Sequence, residues 1–152
     1  MKVVTSLIEA HIVRIIDKKV EFLLLKRSPE KKYPNIWQMV TGKIKANEKA
    51  YETAIREIKE ETNLDIDELF IVPNINNFYN EIEDSITQIP VFVATVKDET
   101  KFKLSNEHVK FKWVSYKKSQ KMLAWPGQKK SEKIIKDYFE KKYETLNFIK
   151  VK

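Results

Sequence analysis

The sequence predicts an α/β fold, in which helices pack on a mixed β-sheet. Stretches rich in β-branched and large apolar residues recur along the chain, as expected for buried strands. Residues 48–62 and 128–143 instead place apolar side chains at helical spacing, which predicts two amphipathic helices. The chain has 152 residues and neither an internal repeat nor a Gly/Ser-rich linker, so we expect a single domain over residues 1–152.

Before the first helix, the sequence predicts a β-hairpin, a loop and a short strand. The hairpin strands cover residues 3–16 and 20–26, the loop with two prolines covers 28–35, and the short strand covers 36–41 and ends at Gly42.

The first helix, residues 48–62, has the clearest apolar stripe, formed by Ala50, Tyr51, Ala54, Ile55 and Ile58. Asn47 is the expected N-cap, and Asn63 is expected to end the helix in the left-handed conformation. The elements predicted after it are strands at 68–79 and 86–97 joined by a polar connection at 80–85, a short strand at 112–116, and the helix at 128–143.

Composition excludes several classes of protein. There is no cysteine, so disulfides, thiolate metal sites and cysteine nucleophiles are excluded, and any metal must be held by oxygen atoms or by the two histidines. His11 and His108 lack the spacing of paired metal ligands and are predicted to be structural or surface residues. Glu9, His11 and Arg14 interrupt the apolar N-terminal stretch, which argues against a signal peptide. We therefore expect a cytoplasmic protein without a membrane span.

The net charge of +7 is unevenly distributed along the chain. Residues 97–152 carry 16 basic and 7 acidic side chains, whereas residues 1–96 are slightly acidic. Such a basic region could attract nucleic acid or small phosphorylated anions. Nearly all of the excess is lysine, and no arginine follows Arg56. Since bidentate phosphate and base recognition favours arginine, we expect no specific nucleic-acid partner.

Three glutamates in the first helix form the candidate metal site. Glu57, Glu60 and Glu61 follow an i, i+3, i+4 spacing, which places them within about 100° of arc on one face, beside the apolar stripe. Clustered carboxylates repel one another, and a divalent cation such as Mg²⁺ or Mn²⁺ relieves that repulsion. The alternative for this pattern is a solvated, glutamate-rich helix face.

A longer pattern favours the metal site. Gly42 is followed after five residues by Glu48, and after seven more by Arg56-Glu57-Ile-Lys-Glu60-Glu61-Thr-Asn-Leu. This string resembles the signature of the Nudix hydrolases, with asparagine at position 63 in place of the usual glycine. The resemblance implies the Nudix fold, an α/β/α sandwich with a loop–helix–loop against a mixed sheet. It also implies Mg²⁺- or Mn²⁺-dependent hydrolysis of a nucleoside diphosphate linked to another group.

The same resemblance assigns roles to residues of the string. Glu57, Glu60 and Glu61 become metal ligands, and Glu60 is also a candidate general base. Arg56 is expected to orient these carboxylates through ion pairs, and Glu48 to support Arg56.

Segments outside the string resemble one group within the family, the dihydroneopterin triphosphate pyrophosphatases, which also accept dATP. The similar segments are residues 36–42, Asn106-Glu107-His108-Val109 and Lys112-Trp113. By this resemblance Glu107 is a further metal ligand. The candidate substrate-binding residues are Lys26, Arg27, Thr41, Gly42 and Trp125, the last by stacking on a base or pterin. The alternative for Trp125 is a core tryptophan at a turn.

The sequence is also compatible with other functions. A diadenosine polyphosphate hydrolase or a broad nucleotide housecleaning enzyme would carry the same string. A non-catalytic nucleotide sensor and a basic RNA-binding module are further alternatives, although a full set of glutamates argues against the sensor. A homodimer is a possible assembly, since dimers are frequent in the family.

Overall fold

A computed structural model describes residues 1–96 and 98–152. Within these ranges the chain forms eight strands, three α-helices and two short 3₁₀ helices. The strands are β1 (Lys2–Val4), β2 (Leu7–Ile16), β3 (Lys19–Arg27), β4 (Trp37–Gln38), β5 (Val40–Lys43), β6 (Ile66–Asn80), β7 (Ser85–Val96) and β8 (His108–Ser115). The helices are α1 (Ala50–Thr62), α2 (Tyr116–Met122) and α3 (Pro126–Glu140), with 3₁₀ turns at Glu99–Lys101 and Tyr143–Ile149.

Strand β2 lies at the centre of one mixed sheet. It pairs antiparallel with β3 and β5 and parallel with β7, which continues outward to β1 and β6. On the other side, β3 pairs with β4 and β8. The predicted hairpin between β2 and β3 is confirmed, and its turn residues Asp17 and Lys18 both have positive φ angles.

The two faces of the sheet carry separate cores, because side chains alternate along each strand. Ile8, Ala10 and Ile12 of β2 join a core that includes Ala54 and Ile58 of α1. The opposite face carries a second core that includes Ile135 and Phe139 of α3. Helices therefore cover both faces, which confirms the predicted α/β sandwich.

The structure revises the boundaries of the first half. The predicted strand 3–16 is divided into β1 and β2, and the short strand 36–41 into β4 and β5. The predicted N-cap Asn47 is wrong, since Lys49 occupies that position and Asn47 itself has a φ of 65°. The carboxylate of Glu52 accepts the Lys49 backbone N–H at 2.8 Å, so the helix starts two residues late. Asn63, with a φ of 59°, ends α1 in the left-handed conformation as predicted.

In the second half, β6 and β7 agree with the predicted strands, although position 97 lies outside the described residues. Strand β8 starts at His108 rather than at 112, and helix α3 begins two residues earlier and ends three residues earlier than predicted. Helix α2 was not predicted. Over the described ranges, every helix is too short or too polar to cross a lipid bilayer.

Candidate active site

Arg56 organises the acidic side of α1. Its Nε lies 2.8 Å from Oε2 of Glu48 and its Nη2 lies 2.9 Å from Oε1 of the same carboxylate, a bidentate pair. Its Nη1 donates to Glu57 at 2.8 Å and to Glu60 at 3.2 Å. A further bond from Nη2 reaches the carbonyl oxygen of Lys43 at 2.9 Å. One guanidinium therefore joins the loop before α1 to two carboxylates of the helix.

Glu48 is held from several directions. Besides Arg56, its Oε1 accepts the Thr53 hydroxyl at 2.6 Å and the Lys45 backbone N–H at 3.1 Å. The hydrogen bonds from Arg56 are the largest cause that lowers the pKa of Glu48, and the same contact raises the pKa of Arg56. Both groups stay charged, which suits a structural brace rather than a proton carrier.

Glu57 is pressed against strand β5. A Cβ atom placed on Gly42 would overlap the Cγ and Cδ atoms of Glu57, so only glycine permits this approach. Burial is the largest cause that raises the pKa of Glu57, while the Arg56 contact lowers it. Gly42 thus lets a partly desolvated carboxylate lie directly on the strand.

Glu61 is the buried member of the set, with 2% of its surface exposed. Glu61, Glu107 and His108 each present a ligand atom, and these atoms lie within 4.8 Å of one another. By strict hydrogen-bond geometry neither carboxylate oxygen of Glu61 has a donor among the described residues, although the Glu107 carboxyl and the Thr41 backbone lie close enough to shift its pKa. Burial, followed by the adjacent Glu107 carboxylate, raises the pKa of Glu61 to about 10. The adjacent Glu61 carboxyl in turn lowers the pKa of Glu107, so the two carboxyl groups share one proton at neutral pH.

His108, which the sequence predicts to be a structural or surface residue, is buried and lies beside the carboxylates of Glu61 and Glu107. It is 4% exposed, and Nε2 of Gln38 lies 3.0 Å from its Nε2. Burial lowers the pKa of His108 to about 4, so the ring is neutral at physiological pH. Its Nδ1 is buried without a hydrogen-bond partner among the described residues.

This donor set fits a hard divalent cation. Two carboxylates and a neutral imidazole converge. Because the Glu61 oxygens lack a donor in hydrogen-bonding geometry, a bound cation would take the place of the proton. Glu57 lies close enough that the charge of Glu107 contributes to raising its pKa. Glu60 differs, because its side chain is 54% exposed and contacts Arg56 instead of the buried group.

The candidate phosphate-binding residues divide into two groups. The charges of Arg27 and of Lys31, which was not predicted, both lower the pKa of Glu107, so both lie near the buried cluster. Nε of Arg27 also donates to the Lys32 carbonyl oxygen at 2.6 Å, which ties the loop at 28–35 to the end of β3. Lys26 forms the second group: it is paired within the sheet with Trp37 and Lys110, and the strand register shifts between Lys26 and Arg27.

Thr41 links this cluster to a second feature of the molecule. Its backbone lies beside the carboxyl of Glu61, and it is the cross-strand partner of Glu9 in the β2–β5 pair. Cross-strand partners point to the same face of a sheet, so the side chain of Thr41 is on the Glu9 side.

A cavity of about 360 Å³ lies on that side. Trp125 is 43% exposed, lines this cavity and packs edge-to-face on Tyr33 with 5.4 Å between ring centroids. Phe78 and Tyr79 also line it. The alternative of a core tryptophan is therefore wrong, and an exposed aromatic wall is available for a planar ligand. The loop at 28–35 contacts both the cavity and the carboxylate cluster. Its Tyr33 lines the cavity, and its Ser28 N–H donates to the Glu107 carbonyl oxygen at 2.9 Å.

A buried carboxylate–imidazole cluster beside an arginine-braced acidic helix is typical of enzymes that bind a divalent cation and a phosphorylated substrate. A model of the NUDIX domain matches residues 6–138. The chain therefore belongs to the Nudix hydrolase family, enzymes that act on phosphoanhydride bonds.

Relatives with described activities fall into two groups. A dihydroneopterin triphosphate diphosphatase of Haemophilus influenzae is 35% identical over 114 residues, which are 66% of this chain and 68% of that protein. An asymmetrical bis(5'-nucleosyl)-tetraphosphatase of Caenorhabditis elegans is 30% identical over 103 residues, 67% and 72% of the two chains. A crystal structure of a C. elegans Ap4A hydrolase has a TM-score of 0.73 at 24% identity and covers 89% of this chain and 97% of its own, a similarity of fold.

Proposed function

We propose that this Nudix hydrolase cleaves a nucleoside or pterin triphosphate into a monophosphate and pyrophosphate, with Mg²⁺ or Mn²⁺ as cofactor. The observation that carries the proposal is the arrangement on strand β5. Gly42 admits Glu57, the Thr41 backbone lies beside Glu61, and Thr41 pairs across the sheet with Glu9 at the aromatic cavity. The carboxylate cluster and the cavity are thus linked through adjacent residues of one strand, which supports a substrate that carries its phosphates close to its ring.

In this proposal Glu57, Glu60, Glu61 and Glu107 hold the metal, with the His108 ring beside them. A bound divalent cation would neutralise charge on the phosphates and lower the pKa of a coordinated water. Glu61 must release its proton for this role, because a carboxylate binds a cation only when ionised.

The remaining residues position the reactants. Arg56, braced by Glu48, orients the carboxylates of Glu57 and Glu60 through the hydrogen bonds described above. Glu60 is the candidate base that accepts a proton from the attacking water, since it is the most exposed of these carboxylates. Water attacks the α- or the β-phosphorus, the P–O bond of the anhydride between these two phosphorus atoms breaks, and pyrophosphate or the monophosphate departs as the leaving group.

On the substrate side, Arg27 and Lys26 are proposed to neutralise phosphate oxygens. Thr41 and Gly42 would contact the substrate beside the metal, and Trp125 would stack on its ring. A homodimer and a cytoplasmic location stay predictions from the sequence.

A second candidate function is hydrolysis of diadenosine polyphosphates. It is favoured by the 30% identity to the C. elegans bis(5'-nucleosyl)-tetraphosphatase. Its substrates carry a second nucleoside beyond the phosphates, so the two functions differ in their products.

A hydrolysis panel with product identification separates these functions. It contains dATP, dGTP, dihydroneopterin triphosphate, diadenosine tetraphosphate and ADP-ribose, each with Mg²⁺ or Mn²⁺. Monophosphate plus pyrophosphate from a triphosphate is the expected result, and preferred cleavage of the dinucleotide would replace the proposal by the second candidate. Glu61→Gln should abolish turnover, whereas Glu52→Gln, on the same helix but at its N-terminal cap, should not. Metal binding without any turnover would point to a nucleotide sensor.

A further inference from the structure

A buried carboxylate without a charged partner lies at the floor of the aromatic cavity. Glu9 is 3% exposed and lines the cavity from near the start of β2. No lysine or arginine among residues 1–96 and 98–152 forms an ion pair with it. Burying an uncompensated carboxylate costs free energy, so the burial of Glu9 calls for a compensating ligand or a strong hydrogen-bond network.

Two amides hold this carboxylate in a fixed orientation. Asn76 Nδ2 donates to Oε1 of Glu9 at 3.0 Å, and Gln128 Nε2 donates to Oε2 at 2.6 Å. A carboxylate has about four acceptor sites, two on each oxygen. Asn76 and Gln128 therefore use one site on each oxygen of the ionised group and leave one free on each. Burial raises the pKa of Glu9, and the hydrogen bonds from Gln128 and Asn76 lower it, so these amides favour the ionised form.

The surrounding chain is built to keep these amides in place. A Cβ atom on Gly127 would overlap the side-chain amide of Asn76, so glycine at the first turn of α3 lets that amide lie against the helix. Gln128 is 5% exposed, and its Oε1 has no donor among the described residues. The cavity thus presents the two remaining acceptor sites of Glu9 beside aromatic residues that include Trp125.

We propose that this cavity binds a planar heterocycle with a 2-amino-4-oxo edge, the edge shared by guanine and pterins, and that Glu9 recognises its two adjacent N–H donors. The ring N–H and the neighbouring exocyclic amino group would donate one hydrogen bond to each oxygen of Glu9. Adenine instead presents an amino donor beside a ring-nitrogen acceptor, so one carboxylate oxygen would face a lone pair. The cavity volume of about 360 Å³ lies within the range of small-ligand sites, roughly 300–1,000 Å³.

This inference deepens the proposed function, because it assigns the ring of the proposed triphosphate to one side of β2. It selects dihydroneopterin triphosphate and guanine nucleotides over dATP and over diadenosine compounds. Glu9, Asn76 and Gln128 would then be determinants of specificity, separate from the residues proposed to act on the phosphates.

The test compares kcat/KM for dGTP, dihydroneopterin triphosphate and dATP in the wild type and in Glu9→Gln. An amide carries one acceptor and one donor, which matches adenine and mismatches the 2-amino-4-oxo edge. We expect the wild type to prefer dGTP over dATP by roughly 10- to 100-fold, as for a bidentate base contact. In Glu9→Gln this preference should fall below threefold or reverse. A wild type without the preference, or a variant that keeps it, would overturn the inference and leave the proposed hydrolysis intact.

Glu132→Gln is the matched control. Glu132 is as buried as Glu9 and lies on α3, but it accepts the Ser119 hydroxyl at 2.6 Å and does not line the cavity. Its substitution should leave the dGTP-to-dATP ratio unchanged, and a changed ratio would show that the effect of Glu9→Gln is not specific to the cavity.

Binding without turnover tests the cavity independently of catalysis. In EDTA, dGMP should quench tryptophan fluorescence at lower concentration than dAMP, and Trp125→Phe should remove most of the signal, since Trp37 and Trp113 lie outside the cavity. Equal binding of both nucleotides would count against the inference. Selective dGMP binding in a protein that hydrolyses no triphosphate would instead overturn the proposed function alone.

Discussion

Glu61 is expected to make the metal-free protein less stable as the pH rises. Its pKa is about 10 in the folded chain and 4.5 in its ordinary state, so between these values the folded state holds one proton more than the unfolded state. The free energy of unfolding must then fall with pH, by about 1.4 kcal/mol per pH unit. At pH 7.5, three units above 4.5, the accumulated cost is about 4 kcal/mol.

Glu61→Gln removes this cost while preserving the shape of the protonated side chain. The amide can donate to Glu107 as the protonated carboxyl does, so packing is retained. We expect the variant to be more stable than the wild type in EDTA, with a difference that is small near pH 5 and widens by about 1.4 kcal/mol per unit from pH 6 to 9. The lowered pKa of Glu107 adds no slope in this range, because that group is ionised in both states.

Urea unfolding at pH 6, 7, 8 and 9 in EDTA measures this difference directly. Glu60→Gln serves as the control, because Glu60 is on the same helix but 54% exposed, and its pH profile should follow the wild type. Excess Mn²⁺ should stabilise the wild type at pH 8 and have less effect on Glu61→Gln. Parallel profiles for the wild type and Glu61→Gln in EDTA would refute a neutral, buried Glu61.

Three further predictions concern the same site. Gly42→Ala should lower kcat/KM at least tenfold at a stability cost of about 1–3 kcal/mol, because the added methyl overlaps Glu57; wild-type kinetics would contradict this contact. Arg56→Lys should lower kcat/KM by roughly 10- to 100-fold, since one ammonium cannot replace the bidentate bond to Glu48 and the bonds to two helix carboxylates; a change within threefold would count against the brace. EDTA should abolish turnover and Mg²⁺ or Mn²⁺ restore it, as steady-state assays would measure, whereas activity that persists after dialysis against EDTA would disprove the metal requirement.

The part of the site that lies within one local segment could be predicted from the sequence. Helical spacing places Glu57, Glu60 and Glu61 on one face beside the apolar stripe, and therefore near the sheet. Glu61 is buried there, whereas the side chain of Glu60 is 54% exposed. Asn63 ends α1 as predicted because asparagine tolerates the left-handed conformation better than other non-glycine residues.

The remainder depends on tertiary contacts that spacing does not encode. His108 reaches Glu61 only because β8 pairs with β3 and places it opposite Arg27. Histidine spacing did not predict this position, since no second histidine lies at ligand spacing. Glu9 did have one, a charged residue inside an apolar strand, but its partner Gln128 is 119 positions away.

Both glycines of the chain lie where a side chain packs closely against the backbone. The chain has only two glycines, and neither has a positive φ, so neither is required for an unusual backbone conformation. Each is required for close approach instead, since a Cβ on Gly42 would overlap Glu57 and a Cβ on Gly127 would overlap Asn76. The first contact belongs to the acidic helix and the second to the cavity that Glu9 lines. Each glycine therefore lets a side chain pack against the backbone: Gly42 at the site proposed for the phosphates, and Gly127 at the site proposed for the ring.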